Sequence, residues 1–297
     1  MMANKAINPS INTLEAKRNL QNIKLIPRIK NIVAVGSGKG GVGKSTMATG
    51  LALALKKLGL SVGLLDCDIY GPSIPQMMGL AHLKQPEINA DQHMIAPKTE
   101  QGIPVMSIGF LVEPEKAIIW RGPMVSQAVD QLIKQTDWGA ELDVLVIDLP
   151  PGTGDIHLSL FQKIPITGAI IVSTPQEVAL ADARRACEML KKLNVRLLGV
   201  VENMSHHVCT NCGHKEHVFG EGGGARLAQA NNTILLGQFP LQIELMRRLD
   251  RGQSQDAFDT SDVYDQMMAY AQRVFEALAK LPKNYDGALA DIGVVKA

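Results

Sequence analysis

The chain is poor in cysteine: Cys67, Cys187, Cys209 and Cys212 are its only four thiols in 297 residues. That is too few for the disulfide framework of a secreted scaffold of this length. No apolar run approaches the ~18 residues a spanning helix needs, and the opening MMANKAINPSINTLEAKRNL lacks the apolar stretch of a secretion signal. An excess of charge of one sign is also missing. Thirty basic and 29 acidic residues leave +1, so no global field favours a nucleic acid or an anionic membrane. Together these absences predict a cytoplasmic protein with no nucleic-acid and no membrane partner, and they turn the close pair Cys209/Cys212 toward metal or redox chemistry.

Hydrophobic residues make up 46% and charged residues 20% of the chain, enough apolar material for one large core. Residues 1–30 are polar, carry Pro9 and Pro27, and show only a weak helical stripe (Ile11, Leu14, Leu20), so they read as an N-terminal arm. Residues 31–281 form the expected core and 282–297 a tail. Within the core, β-branched runs recur at Ile32–Val35, Val62–Leu65, Val144–Ile147, Ala169–Val172, Leu197–Val201 and Ile234–Leu236. Helical patterns over Lys44–Leu58, Val125–Lys134, Glu177–Leu193 and Ala225–Ala230 separate most of them. This alternation predicts an α/β fold of three layers, with a mostly parallel central sheet flanked by helices on both faces. Right-handed crossovers then gather the loops after the strands along one edge, where a ligand belongs. The segment Ala81–Gln101, with Pro86 and Pro97, breaks the rhythm and reads as a hairpin or insertion. Asp262–Leu281 reads as a closing amphipathic helix whose mixed-charge polar face does not suit a membrane surface.

The first strand runs into Gly36-Ser37-Gly38-Lys39-Gly40-Gly41-Val42-Gly43-Lys44-Ser45-Thr46, and Gly38 to Ser45 fits G-x-x-x-x-G-K-S/T between a strand and a helix. Glycines let successive backbone N–H groups converge on phosphate oxygens, and the next helix points its positive end at the same anion. Lys44 is then the ligand of the β- and γ-phosphates and the Ser45 hydroxyl a ligand of Mg2+, while Thr46 helps at the α-phosphate or caps locally. Lys39 with Gly-Gly-Val-Gly-Lys-Ser resembles the deviant P-loop of the nitrogenase iron protein, the Min and Par partition ATPases and the Mrp/ApbC carriers. The resemblance implies ATP as ligand, and a homodimer in which Lys39 reaches the partner's nucleotide. A second ammonium delivered there would neutralise charge built up in phosphoryl transfer.

Three acids end apolar runs at the predicted ligand edge. Asp66 and Asp68 follow Val62–Leu65. By resemblance to the switch I segment of these ATPases, Asp68 orients or deprotonates the attacking water and Asp66 supports Mg2+ or the P-loop, with a turn or cap role open for either. Asp148 ends the run Asp143-Val-Leu-Val-Ile-Asp148, the pattern that brings a carboxylate to the metal shell. The continuation Leu149-Pro150-Pro151-Gly152-Thr153-Gly154-Asp155 resembles switch II of the Mrp/ApbC group, and Asp155 is either a switch contact or the N-cap of the next helix. Asn203, after Leu197–Val201, stands where an asparagine of related ATPases contacts adenine. A carboxamide offers a donor and an acceptor to a base edge, and a structural turn is the alternative.

Cys209-Thr-Asn-Cys212 alone fits a redox dithiol, a zinc half-site completed by nearby histidines, or half of a cluster site. Asn203-Met204-Ser205, then CxxC-Gly, then Phe219-Gly-Glu-Gly-Gly-Gly224 resembles the Mrp/ApbC family of iron–sulfur cluster carriers over roughly residues 31–280. Thr210 departs from the proline often found after the first cysteine there. What the resemblance implies is an ATPase whose dimer holds a four-iron, four-sulfur (4Fe–4S) cluster on four thiolates, two from each chain. Such a carrier receives the cluster from donor proteins and passes it to apoproteins. The alternative is a zinc-stabilised switch ATPase of the Min/Par type. Cys67 and Cys187 read as core residues.

Overall fold

The computed structural model describes Ile26 and residues 28–111, 122–259 and 263–281. The tail 282–297 and all but a few residues of the arm lie outside that range. The core begins slightly earlier than residue 31, because strand β1 spans Ile29–Ser37 and every residue from Asn31 to Ser37 is buried. A strand covered on both faces has no polar face to alternate, and this explains the unbroken apolar run.

Helix α1 (Lys44–Lys57) follows a left-handed Gly43, is rich in alanine and leucine, and places Lys56 and Lys57 against its negative end. It stops at Gly59 (φ 91°), where Leu58 and Gly59 bond back to Ala54 and Lys56. Strand β2 (Val62–Asp66), helix α2 (Ile74–Met77), strand β3 (Met94–Ile95) and strand β4 (Val105–Ser107) come next. Helix α3 (Gly122–Lys134), strand β5 (Thr136–Asp137), strand β6 (Leu142–Asp148) and helix α4 (Asp155–Lys163) complete the first half. The second half runs β7 (Gly168–Ser173), α5 (Glu177–Lys192), β8 (Leu197–Glu202), β9 (His207–Val208), β10 (Lys215–Glu216) and α6 (Gly223–Ala230). It ends with β11 (Leu235–Gln238), α7 (Ile243–Asp250), α8 (Ser254–Asp259) and α9 (Tyr264–Ala279).

Seven strands form one sheet in the order β11-β8-β7-β1-β6-β2-β4, and all of its pairings are parallel. Helix α1 packs against β1, β2 and β6 and is itself covered by α9, while α5 packs against β7, β1 and β8. The expected α/β fold, a parallel central sheet flanked by helices, is what forms. Register places Asp148 beside Val35 on one side and Asp66 on the other, so the three strand ends that carry the P-loop and both acids are neighbours.

The segment 81–101 is an insertion, but not a free hairpin. Ile88 and Met94 make a single antiparallel bridge, and Met94–Ile95 pairs in parallel with Thr136–Asp137, some forty residues later. The closing helix starts at Tyr264, and Asp262 is outside the described residues. Among the described residues, no helix is long and apolar enough to cross a membrane.

Candidate functional site

The loop from Gly38 to Gly43 turns over the end of β1. Ser37 Oγ donates to the Lys39 carbonyl (2.9 Å), and the Gly152 N–H donates to the Ser37 carbonyl (3.0 Å), which ties the segment after β6 to the loop. Gly40 and Gly41 are exposed at the crest, Lys39 is half-buried, and Thr46 is half-buried in the first turn of α1. Two glycines are fixed by close approach. A Cβ on Gly38 would sit 2.2 Å from the Asp182 carbonyl carbon of α5. At Gly43 (φ 80°) it would meet the Asn203 carboxamide nitrogen at 2.1 Å.

Lys44 is buried and points down, between carboxylates. Its ammonium donates to Asp148 Oδ1 (2.6 Å) and lies 3.4 Å from Asp68 Oδ2. The Ser45 hydroxyl donates to Asp148 Oδ2 (2.6 Å), so the lysine and serine of the loop converge on the acid that ends β6. Asp66 takes a different position. It accepts from the backbone of Asp68 (3.0 Å) and Ile74 (3.2 Å) and from Ser107 Oγ (3.2 Å), which shapes the turn after β2. The turn role left open in the sequence for either acid is thus taken by Asp66, and by Asp68 as well. Asp68 in turn accepts from the Tyr70 N–H (3.2 Å).

The electrostatics share one sense. Burial, then the adjacent Asp148, pushes the Asp66 carboxyl up to about 7. Burial raises Asp148 too, against the pull of Lys44. Burial opposes the charge on Lys44, but Asp148 beside it raises the lysine on balance. Three carboxylates around one ammonium make a site short of positive charge. Cys67 is fully buried, and burial together with Asp66 pushes its thiol well above the usual range, which fits a core role. Cys187 is likewise buried and raised to about 11 by that burial.

Helix α4 opens with Asp155, and its N-cap is Gly154. The cap reading for Asp155 is thus corrected: glycine reaches the extended cap backbone, and the acid falls in the first turn. His157, which sequence reasoning missed, is buried on this helix and bonds through Nε2 to the Pro150 carbonyl (2.9 Å). No spacing rule marks a histidine whose partner is a loop carbonyl.

Asn203 is buried at the end of β8 and donates from Nδ2 to the Val42 carbonyl (2.9 Å), inside the P-loop. Six residues further on, the cysteines sit on a small hairpin. Strand β9 pairs antiparallel with β10, the Cys209 N–H donates to His214 O (2.9 Å), and the Gly213 N–H donates to Cys209 O (2.8 Å). Cys209 is half-exposed and Cys212 exposed. The N–H groups of Cys212 and Asn211, with the Cys212 thiol, hold the Cys209 thiol below its ordinary pKa. Two of the nearby imidazoles contact backbone carbonyls through Nδ1. His207 Nδ1 contacts Leu241 O (3.1 Å) and His217 Nδ1 contacts Ser205 O (3.0 Å). Among the described residues, no three His, Cys, Asp or Glu side chains are grouped to hold one metal ion.

Comparison with known proteins identifies the family. The "iron-sulfur cluster carrier protein" of Pseudomonas fragi is 54% identical over 227 residues, 76% of this chain and 78% of that one. The Salmonella typhimurium protein of the same description is 52% identical over 243 residues, 82% of this chain, but the match spans only 64% of that longer relative. Among solved structures, a nucleotide-binding protein from Archaeoglobus fulgidus in complex with ADP superposes with a TM-score of 0.68 at 36% identity, covering 82% of this chain and 94% of that one. The model of the ParA family, described as NUBPL iron-transfer P-loop NTPase, matches residues 28–275, from the first residues of β1 through most of α9. That match takes in the phosphate loop, both acid-bearing strand ends and the cysteine hairpin, and the chain belongs to this family of P-loop NTPases.

Proposed function

We propose that the chain is an ATP-hydrolysing iron–sulfur cluster carrier that works as a homodimer in the cytoplasm, receiving a 4Fe–4S cluster from a donor protein and passing it to apoproteins. The observation that carries this reading is the Cys209–Cys212 hairpin. It presents two solvent-reaching thiols, one of them held below the ordinary thiol pKa by the N–H groups of its turn, and among the described residues no third ligand is grouped beside them. A cluster that needs four thiolates then takes two from each of two copies.

The nucleotide site supplies the drive. Backbone N–H groups from Gly38 to Gly43 would cradle the phosphates, Lys44 would exchange its Asp148 contact for phosphate oxygens, and Thr46 would add its hydroxyl near the α-phosphate. The oxygen donors Ser45 and Asp148, already in contact in a pocket short of positive charge, fit a small hard cation. They would hold Mg2+, with Asp66 contributing charge from behind. Bound there, the ion would offset phosphate charge. Asp68 at the mouth would orient the attacking water, and Lys39 would act on the partner's nucleotide. Asn203, against Val42, would border the base.

The direct test replaces both cysteines. The double variant Cys209→Ser/Cys212→Ser is expected to bind nucleotide as the wild type does and to retain no iron and sulfide after anaerobic reconstitution. Unchanged iron and sulfide in that variant would rule the reading out.

A further inference from the structure

Glu202, the last residue of β8, is a buried carboxylate to which the mechanism above gives no task. Its Oε2 accepts from the Gly224 N–H at 2.5 Å, and its Oε1 accepts from Gln238 Nε2 at 2.7 Å. Gly224 lies in the first turn of α6, where the chain re-enters the fold after the cysteine loop. A Cβ there would meet Glu202 Cβ at 2.7 Å, so the approach is as close as glycine allows. The neighbouring Asn203 opens the same loop and holds Val42 of the P-loop. Both ends of the segment 203–224 therefore close on two adjacent residues, one facing the phosphate loop and the other gripping the loop's return.

Further bonds make this base stiff. The Phe239 N–H donates to Glu202 O (2.9 Å), and the Ser205 N–H and Oγ both donate to Phe239 O (2.8 and 3.0 Å). His217 is pinned to Ser205 O, and the His206 and His217 rings lie 6.0 Å apart, tilted by 48°. Val42 is thus bonded to Asn203, which is joined through one peptide unit to the residue that grips Gly224. The hairpin with Cys209 and Cys212 stands on that base.

We propose that Glu202 is a positioning residue: it clasps the return of the cysteine loop to the end of β8, so that a shift of the P-loop at Val42 reorients the Cys209–Cys212 hairpin. The consequence for cluster release rests on the carrier reading, whereas the clasp itself does not.

Hydrogen exchange of the full-length protein, with MgADP and with a non-hydrolysable ATP analogue, tests it on three forms. In the wild type, amide exchange across 205–224 is expected to differ between the two nucleotides. Glu202→Gln is expected to keep the difference, because one carboxamide oxygen still accepts from Gly224 and Gln238 can turn its own amide to accept from Gln Nε2. Glu202→Leu, close in volume but without an acceptor, is expected to lose the difference while nucleotide still protects the P-loop amides. A wild type with no difference, or a leucine variant that retains it, overturns the proposal. Iron and sulfide content of the same wild-type preparation reports separately on the carrier reading: nucleotide-dependent exchange without a cluster would leave the clasp standing and remove its cargo.

Discussion

The ammonium of Lys44 lies 2.6 Å from Asp148 Oδ1 although 104 positions separate them in the chain. Both are buried, and the Ser45 hydroxyl holds the other Asp148 oxygen at the same distance. Phosphate-loop lysine, loop serine and strand-end acid are thus assembled in one contact that must open for the lysine to reach a phosphate. The stability of the fold and the function of the site are coupled through this pair.

Lys44→Met removes the cation and leaves Asp148 with the Ser45 hydroxyl but no countercharge. Breaking a buried pair from one side costs about 3–5 kcal/mol, and proton uptake by Asp148 limits the loss. In the variant the acid's pKa rises further above its unfolded value, so stability falls as pH increases. Urea unfolding at pH 5.5 and pH 7.5 is expected to show a larger deficit at the higher pH, together with lost nucleotide binding. An equal deficit at both would show that Asp148 is not the group left uncompensated.

The two left-handed loop glycines should respond differently to alanine. Gly41 (φ 78°) has nothing within 4 Å of its would-be Cβ, so Gly41→Ala meets only the backbone penalty, roughly 1–2 kcal/mol. Gly43→Ala adds a clash with the Asn203 amide and loss of its bond to Val42, for about 2–4 kcal/mol in all. Equal losses in a denaturant titration would mean that Asn203 does not bear on the loop.

His157 supplies a pH dependence of its own. Burial lowers its pKa from the ordinary 6.5, so the unfolded chain takes up the proton first. The contribution of the neutral ring is complete above pH 6.5 and is lost as pH falls through the folded value. His157→Gln can still donate to the Pro150 carbonyl but does not titrate. Melting curves between pH 7.5 and 5 should therefore fall more steeply for the wild type, and parallel curves would contradict the assignment.

Thiol reactivity should separate the four cysteines. Cys209, half-exposed and lowered by the N–H groups of its turn, is expected to alkylate first at neutral pH. Cys67 and Cys187, buried and raised, should stay unmodified until the chain unfolds. Peptide mass spectrometry after brief iodoacetamide treatment reads this directly, and early labelling of Cys67 would refute its place in the core.

What the sequence makes legible follows from the range of the interactions. The P-loop, the acids after β2 and β6 and the CxxC pair are local patterns, and long apolar runs mark both-face burial. The two-residue strands β9 and β10, and helices as short as α2 and α8, hold too few residues for a period to register. Ser107 on Asp66 and Gly224 on Glu202 depend on register and loop return, which no local pattern encodes. Asn203 stands out by motif, but its grip on Val42, 161 positions away, exists only in the fold.

The most direct test of the account is the iron and acid-labile sulfide content of anaerobically reconstituted protein, measured with its molar mass in solution. One four-iron cluster on four thiolates predicts about two irons and two sulfides per chain, in a particle of dimer mass. Bound zinc without sulfide, or a full cluster on a monomer, would contradict it.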